Sequence, residues 1–332
     1  MAIVTSSTKT NSNLMKNSNN LEPNLIFDIL KVSTDGAIAS FDWIGKGEEK
    51  NADQAAVTAI RKSLNRLNID ATIVIGEGER DKAPMLYIGE KVGIGSGPQL
   101  DIALDPLEGT TICAHAAPGA ISVIAIAQKG GFLHAPDVYM EKIAIGPNFP
   151  PNIIDLDHTP QINLQNLAKA KKCHINDLTV AVLKRDRHNE LIAKIREAGA
   201  RIQLISDGDI ASVISTTIFN SNIDIYMGTG GAPEGVLAAA ALRTMGGQMM
   251  SRLLFNDEED KKRAYNMGIT DLNYKYTLEE LAKGEVIFAA TGVTTGPILN
   301  GIMKSHTHYT SNSMITCSKD CSIYYITSTH KF

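Results

Sequence analysis

Short apolar runs of strand length that stop at charged turns constrain this chain more than any other feature. Ile73-Val-Ile75 ends in Gly-Glu-Gly-Glu79, and Asp101-Ile-Ala-Leu-Asp105 runs into Pro-Leu-Glu-Gly-Thr110. Leu178–Leu183 leads into Lys184-Arg-Asp-Arg-His188, and Arg201–Ile205 leads to Asp207-Gly-Asp209. Runs of this length read as buried strands, and their alternation with helix-period stretches predicts a layered α/β chain in two lobes. In open α/β sheets ligand crevices form beyond the carboxyl ends of the strands, so charged turns at those ends are candidates for a site.

Apolar residues at helical spacing, Ile26, Ile29, Leu30, Ala37, Phe41 and Ile44, predict an amphipathic helix over Pro23–Trp43 that ends near Gly45. A second helix fits Ala52–Leu67. Strands are expected at Ala71–Ile75 and at Ile102–Asp105, where Pro106 should stop the strand, followed by a hairpin-like pair over Ile121–Ala127 and Gly131–His134. The proline-rich stretch Pro147–Pro160 is the expected internal boundary. It divides the chain into a disordered tail (1–22), a metal-binding lobe (23–150) and a lobe binding substrate and phosphate (151–332). In the second lobe, His188–Ala198 and Pro233–Met245 read as helices and Ile223–Met227 as a strand. Asp257–Lys283 is charged and helix-prone, and Val286–Ala290 and Ile323–Ile326 are the last expected strands.

Composition narrows the partners. A net charge of -4 gives no overall attraction to nucleic acid or an anionic membrane, and 5% aromatic content leaves little for base stacking. Any polyanion site must be local. Cys113, Cys173, Cys317 and Cys321 match neither a disulfide framework nor a Cys-x-x-Cys pair, which fits a reducing cytoplasm. Cys317 and Cys321, with His306 and His308 nearby, miss the usual structural zinc spacing. The first 22 residues are rich in Asn, Ser, Thr and Lys and have no apolar stretch suited to a signal peptide or span.

The acids are the strongest chemical signal. Asp105, Glu108, Gly109 and Thr110 gather two carboxylates, a hydroxyl and a free backbone at one turn, a donor set that suits Mg²⁺ or Mn²⁺ and metal-assisted phosphoryl transfer to water. Glu77 closes a second strand in the same way. Asp53 and Glu234 each stand near the start of an expected helix, where capping or dipole stabilisation is the competing explanation. The paired glycines Gly230 and Gly231 before Glu234 allow a ligand to approach free amides. Arg185 and Arg187 suit phosphate, against the alternative of a solvated charge run, and Asp207-Gly-Asp209 reads either as a site or as a plain turn.

Taken together, these motifs resemble the class II fructose-1,6-bisphosphatases, the bacterial type related to cyanobacterial fructose/sedoheptulose bisphosphatases. The resemblance runs from about 25 to 300 and is carried by Gly47–Gln54, Ile75–Glu90, Asp105–Thr110, Ala135–Met140, Ile205–Asp209 and Gly230–Gly235. The Asp105–Thr110 turn is also shared with the wider lithium-sensitive phosphatase superfamily.

The resemblance implies a layered α-β-α-β-α sugar-phosphatase fold and hydrolysis of the 1-phosphate of fructose 1,6-bisphosphate, a gluconeogenic step, with two or more Mn²⁺ or Mg²⁺ ions. Asp53 and Glu77 resemble the ligands of one metal; Asp105, Glu108 and Glu234 resemble those of the other. Glu108, Gly109, Thr110, Tyr139, Arg185, Asp186, Arg187, Asp207, Gly208, Asp209 and Gly231 resemble substrate contacts. Thr110, with Glu77 and Asp105, is expected to carry the chemistry, its hydroxyl placing the attacking water. A cytoplasmic homo-oligomer, dimer or tetramer, is also implied.

The chain departs from the family pattern at Ala114–Gly119 and Thr295, beyond Ile302, and in having no arginine after Arg263. Alternatives are a sedoheptulose 1,7-bisphosphatase, an inositol-phosphate phosphatase, or a catalytically silent sugar-phosphate-binding protein.

Overall fold

The computed structural model describes residues 21, 24–78 and 84–332. The chain opens with α1 (Asn24–Phe41), α2 (Glu49–Leu64), β1 (Asp70–Ile75), β2 (Lys91–Val92), β3 (Gln99–Glu108), α3 (Thr110–Ala114) and β4 (Ile121–Gln128). It continues with β5 (Tyr139–Ile145), α4 (Pro160–Lys171), β6 (Thr179–Leu183), α5 (Asn189–Glu197), β7 (Arg201–Ile205), α6 (Ile210–Ser215), β8 (Ile225–Gly231) and α7 (Ala232–Met245). The remainder is β9 (Gln248–Leu254), α8 (Glu258–Asn266), β10 (Tyr276–Thr277), α9 (Leu278–Leu281), β11 (Val286–Gly292), β12 (Met303–Lys304), β13 (His308–Cys317) and β14 (Ser322–Lys331).

Two sheets result among the described residues. One has the order β12-β13-β11-β4-β3-β1-β2, with β14 on β13, and the other the order β10-β9-β5-β8-β6-β7. Helices α1 and α2 cover the outer face of the first sheet through Ile29, Val32, Ile60 and Leu64, which meet Ile73, Ile102, Ile124 and Ile287. Its inner face, including Val123, Ala125 and Phe288, packs on α7, whose other flank meets Met140, Ala144 and Tyr226 of the second sheet. Helices α4 and α5 close the far side through Leu164, Leu167, Ile192 and Ile195. The layers are therefore α-β-α-β-α. Helix α7 is buried nearly all round, which explains its run Ala238–Ala241: small side chains let two sheets approach a single helix.

Several expectations change. Strand β3 does not stop at Pro106. A register shift between Asp105 and Glu108 carries it past the proline, which a bulge accommodates because no ladder donor is needed there. The hairpin over Ile121–Ala127 and Gly131–His134 does not form; β4 lies between β3 and β11, and Phe132 makes a single bridge to Ala282 while the Leu133 N–H donates to Leu281.

The sheets also do not divide at 150. Strand β5 already belongs to the second sheet, and β11 to β14 return to the first, so that sheet holds both the early and the last strands of the chain. The expected tail lies outside the described residues except at Leu21, which is buried in the outer core with its N–H on Glu285. No helix among the described residues is long and apolar enough to cross a membrane.

Candidate active site

The charged turns meet in one cleft of about 420 Å³ between the two sheets. Asp53, Glu77, Asp105, Glu108 and Glu234 all line it, as do Gly109, Thr110, Tyr139, Arg185, Arg187, Asp207, Gly208, Asp209 and Gly231. Asp186 does not. It is exposed in the short turn before α5. Residues 79–83 of the Ile75–Glu90 motif lie outside the described residues.

Each acid arrives by a different element. Asp53 is in the first turns of α2, and Glu77 follows β1, its N–H held by the Leu86 carbonyl at 3.1 Å. Asp105 and Glu108 flank the β3 bulge. The Asp105 Oδ1 accepts from the Leu107 N–H at 3.0 Å, and Gly109, at φ 85°, makes the left-handed turn that starts α3 at Thr110. Glu234 folds back from the first turn of α7 over Gly231, where a Cβ would lie 1.9 Å from Glu234 Oε2. A side chain at that position would have to displace the Glu234 carboxylate.

One oxygen from each of Asp105, Glu108 and Glu234 lies within 4.8 Å of the others, so the three form a cluster that can hold a metal ion. Asp53 and Glu77 share a hydrogen bond, as do Asp105 and Glu108, and two carboxyl groups in such contact need a proton or a cation between them. The electrostatics follow. Burial, then the charges of Asp53 and Asp105, push Glu77 up to about 9. Burial raises Asp105 to about 6. Burial also raises Glu234 to about 7, against the pull of Lys142. Glu108, 4% exposed, is raised by burial and by Asp105, Glu234 and Asp209. Glu234 Oε2 is buried without a hydrogen-bond partner.

The other side of the cleft is basic, and backbone carbonyls hold its two guanidinium groups in part. Arg185 donates to the Ser206 carbonyl and to Asp207 Oδ1 at 2.9 Å. Arg187 donates to the Thr229 carbonyl from Nε at 3.1 Å and Nη2 at 2.8 Å, and its guanidinium lies 4.7 Å from the Tyr139 ring centroid. His188, buried behind it, bonds the Leu183 carbonyl through Nδ1 at 2.7 Å and accepts the Thr229 N–H at Nε2 at 2.8 Å. Those two bonds require the neutral tautomer with Nδ1 protonated, and burial lowers its pKa accordingly.

Sequence reasoning missed Lys142 and Tyr226, which support this wall from below. Tyr226 is fully buried and donates to Asp209 Oδ2 at 2.6 Å. The available signal was alternation: Lys142 stands at a core position of Tyr139–Ile145, between Met140 and Ala144. The departures from the family pattern fall elsewhere. None of Ala114–Gly119 lines the cleft; Gly119 and Ala120 donate to Thr294 Oγ1, and Thr295 Oγ1 accepts from Gly301.

The family model for bacterial fructose-1,6-bisphosphatase, glpX-encoded, matches residues 23–330. The chain belongs to that family. It is therefore a phosphatase of the glpX-encoded bisphosphatase group, and the family match extends through β13 and β14, beyond the Ile302 limit read from motifs.

A D-fructose 1,6-bisphosphatase class 2/sedoheptulose 1,7-bisphosphatase of Trichodesmium erythraeum is 41% identical, over 92% of this chain and 95% of the relative. The protein of the same description from Synechococcus sp. (strain JA-3-3Ab) is 44% identical over 85% and 88%. Among solved structures, the extragenic suppressor protein suhB from Bartonella henselae is 16% identical, with a TM-score of 0.33, over 59% of this chain and 74% of that one.

Proposed function

We propose that this bisphosphatase-family chain hydrolyses the 1-phosphate of fructose 1,6-bisphosphate to fructose 6-phosphate and phosphate, using Mn²⁺ or Mg²⁺ held by Asp53, Glu77, Asp105, Glu108 and Glu234. The carrying observation is the polarity of the cleft: like-charged acids, Glu108 buried and the others part-buried, on one side and arginines on the other. The acids suit a hard divalent cation on two counts, an all-oxygen donor set and the unpartnered Glu234 Oε2. Bound cations would supply charge neutralisation at the phosphate and an activated water.

The chain's own groups do the rest. Asp105 and Glu108, through the cation they would hold, set the position of the reacting phosphate relative to Thr110, which lines the same cleft and whose hydroxyl would orient the water for attack in line with the departing sugar oxygen. Arg185 and Arg187, fixed by backbone carbonyls, receive the distal phosphate, which favours a bisphosphate over a monophosphate. The Tyr139 ring, 4.7 Å from the Arg187 guanidinium, helps to hold that group at the cleft. Gly208 and Gly231 line the cleft between the acids and the arginines, the stretch that the sugar would occupy.

The curated relatives carry both fructose and sedoheptulose bisphosphate in their names, and the second substrate is part of the proposal for that reason. A cytoplasmic location is supported by four free cysteines, one of them exposed. A homo-oligomer is supported by edge strand β14, where Ile323, Tyr324 and Tyr325 are exposed. Phosphate release from fructose 1,6-bisphosphate, sedoheptulose 1,7-bisphosphate and an inositol phosphate, each with Mn²⁺, Mg²⁺ or chelator, tests the reading. Release from the two sugar bisphosphates only, and only with metal, supports it. Binding of fructose 1,6-bisphosphate without release would establish the silent alternative instead.

A further inference from the structure

Strand β5 alternates. Met140 and Ala144 join the core around α7, and Ile143 and Ile145 join the core under α4 and α5. Lys142 shares the side of Met140 and Ala144, and its side chain is 0% exposed. A lysine stem normally lets the ammonium reach water, and this one does not. Its Nζ donates to Asp209 Oδ2 at 2.6 Å and to the Gly231 carbonyl at 3.0 Å. The sequence clears a channel for it. Its cross-strand neighbours are Gly228 and Ser251, a Cβ at Gly230 would lie 2.8 Å from Nζ, and one at Gly235 would lie 3.3 Å from Lys142 Cδ.

Stability does not account for such a pair. Taking two charges out of water carries a large desolvation cost, and apolar replacements of similar volume are often neutral or better. What the ammonium does is join two segments that each carry a cleft acid. Gly231 immediately precedes α7, and Glu234 sits three residues further on. Asp209 precedes Ile210, whose N–H donates to Glu108 Oε1 at 3.2 Å. Tyr226 donates to the same Asp209 oxygen from the other side.

We propose that Lys142 is a positioning residue of the metal nest: its ammonium ties the head of α7 to the Asp207–Asp209 turn and so fixes the spacing of Glu234 and Glu108. The inference rests on the metal-site reading above. It assigns Lys142 no contact with substrate; its effect passes through Gly231 and Asp209.

Calorimetric titration of the full chain with Mn²⁺, without substrate, tests it. The wild type must bind Mn²⁺; no binding would sink the metal-site reading itself, before any variant is made. Lys142→Met should bind Mn²⁺ about 10–100-fold more weakly, the usual loss when a partner that orients a metal ligand is removed. At saturating Mn²⁺ it should lose kcat while KM for the bisphosphate stays within about threefold. Lys142→Gln keeps a donor for the Gly231 carbonyl and should recover part of both losses.

Tighter Mn²⁺ binding by Lys142→Met would show that the ammonium only repels the cation, overturning the proposal. So would a lower unfolding midpoint in chelator with unchanged Mn²⁺ affinity and kcat, the signature of a purely structural lysine. Should Lys142→Met fail to fold, Lys142→Gln and Tyr226→Phe decide. Tyr226→Phe leaves the lysine clamp in place, so equal Mn²⁺ losses in those two variants would overturn the proposal, and a loss confined to Lys142→Gln would support it.

Discussion

The two walls of the cleft carry opposite charges and solve opposite problems. On the acid wall, Asp105, Glu108 and Glu234 crowd together at low exposure, one oxygen has no partner, and every pKa is pushed upward. On the basic wall, Arg185 and Arg187 remain solvent-accessible, and their donors already rest on carbonyls of Ser206 and Thr229. The acid wall needs a proton or a cation between its carboxylates. The basic wall is organised in advance of its ligand. A chemical step that develops negative charge belongs beside the first, and recognition of a fixed anion belongs beside the second.

The largest test breaks the acid wall alone. Asp105→Ala should lower metal-dependent phosphate release by about 10³-fold or more, the consequence of losing roughly 4 kcal/mol of charge stabilisation at the reacting phosphate. Its unfolding midpoint in chelator should not fall, because a crowded carboxylate has been removed. Near-normal release from that variant would show that Asp105 is no ligand. The matching break on the basic wall is milder. Arg187→Ala removes one charged hydrogen-bonding group, about 1.5–3 kcal/mol, and should raise KM for a bisphosphate roughly 10–100-fold with kcat changed much less. A drop in kcat at unchanged KM would place Arg187 with the chemistry instead.

The contrast also sets a pH dependence. Asp105, Glu234 and Glu77 have pKa values raised in the folded chain to about 6, about 7 and about 9, so their contribution to stability is greatest below their ordinary carboxylate values. It is lost as pH rises through those three values. In chelator the unfolding midpoint should therefore fall from mildly acid to mildly alkaline pH, and saturating Mn²⁺ should flatten or reverse the slope, binding more tightly as its ligands lose protons. A metal-free midpoint that climbed across that window would contradict the crowding of the acid wall.

The smallest effect belongs to Asp186, which lies between the two arginines in sequence but outside the cleft. Asp186→Ala should change stability by no more than about 0.5 kcal/mol, as for ordinary surface positions, and leave kcat/KM within about twofold. A larger kinetic loss would extend the basic wall to include it.

Local sequence made much of this visible. Asp105-Pro-Leu-Glu-Gly-Thr110 and Gly230-Gly-Ala-Pro-Glu-Gly235 read as turns able to bring acids to a ligand, and both line the cleft. Lys142 was hidden because its residue type argues for exposure, whereas its alternation with Met140 and Ala144 argues for burial; in the fold the pattern prevails over the type. The break at 150 misled because a proline-rich stretch marks an interruption of local structure and says nothing of which sheet the later strands rejoin. The hairpin at Gly131–His134 failed for a similar reason, since apolar residues near a turn do not specify a partner strand.

The sequence by itself determined most of the strands and helices, which turns carry charge, and that the donors are oxygens suited to hard cations. Those properties follow from periodicity and side-chain chemistry within a few residues. Only the tertiary structure decided that Asp53, Glu77, Asp105, Glu108 and Glu234 share one cleft, that β11 to β14 complete the first sheet, and that a buried lysine ties α7 to the turn at Asp209. Each is a contact between residues far apart in the chain, fixed by the packing of two sheets around α7, and local periodicity carries no record of which distant surface will bury a given face.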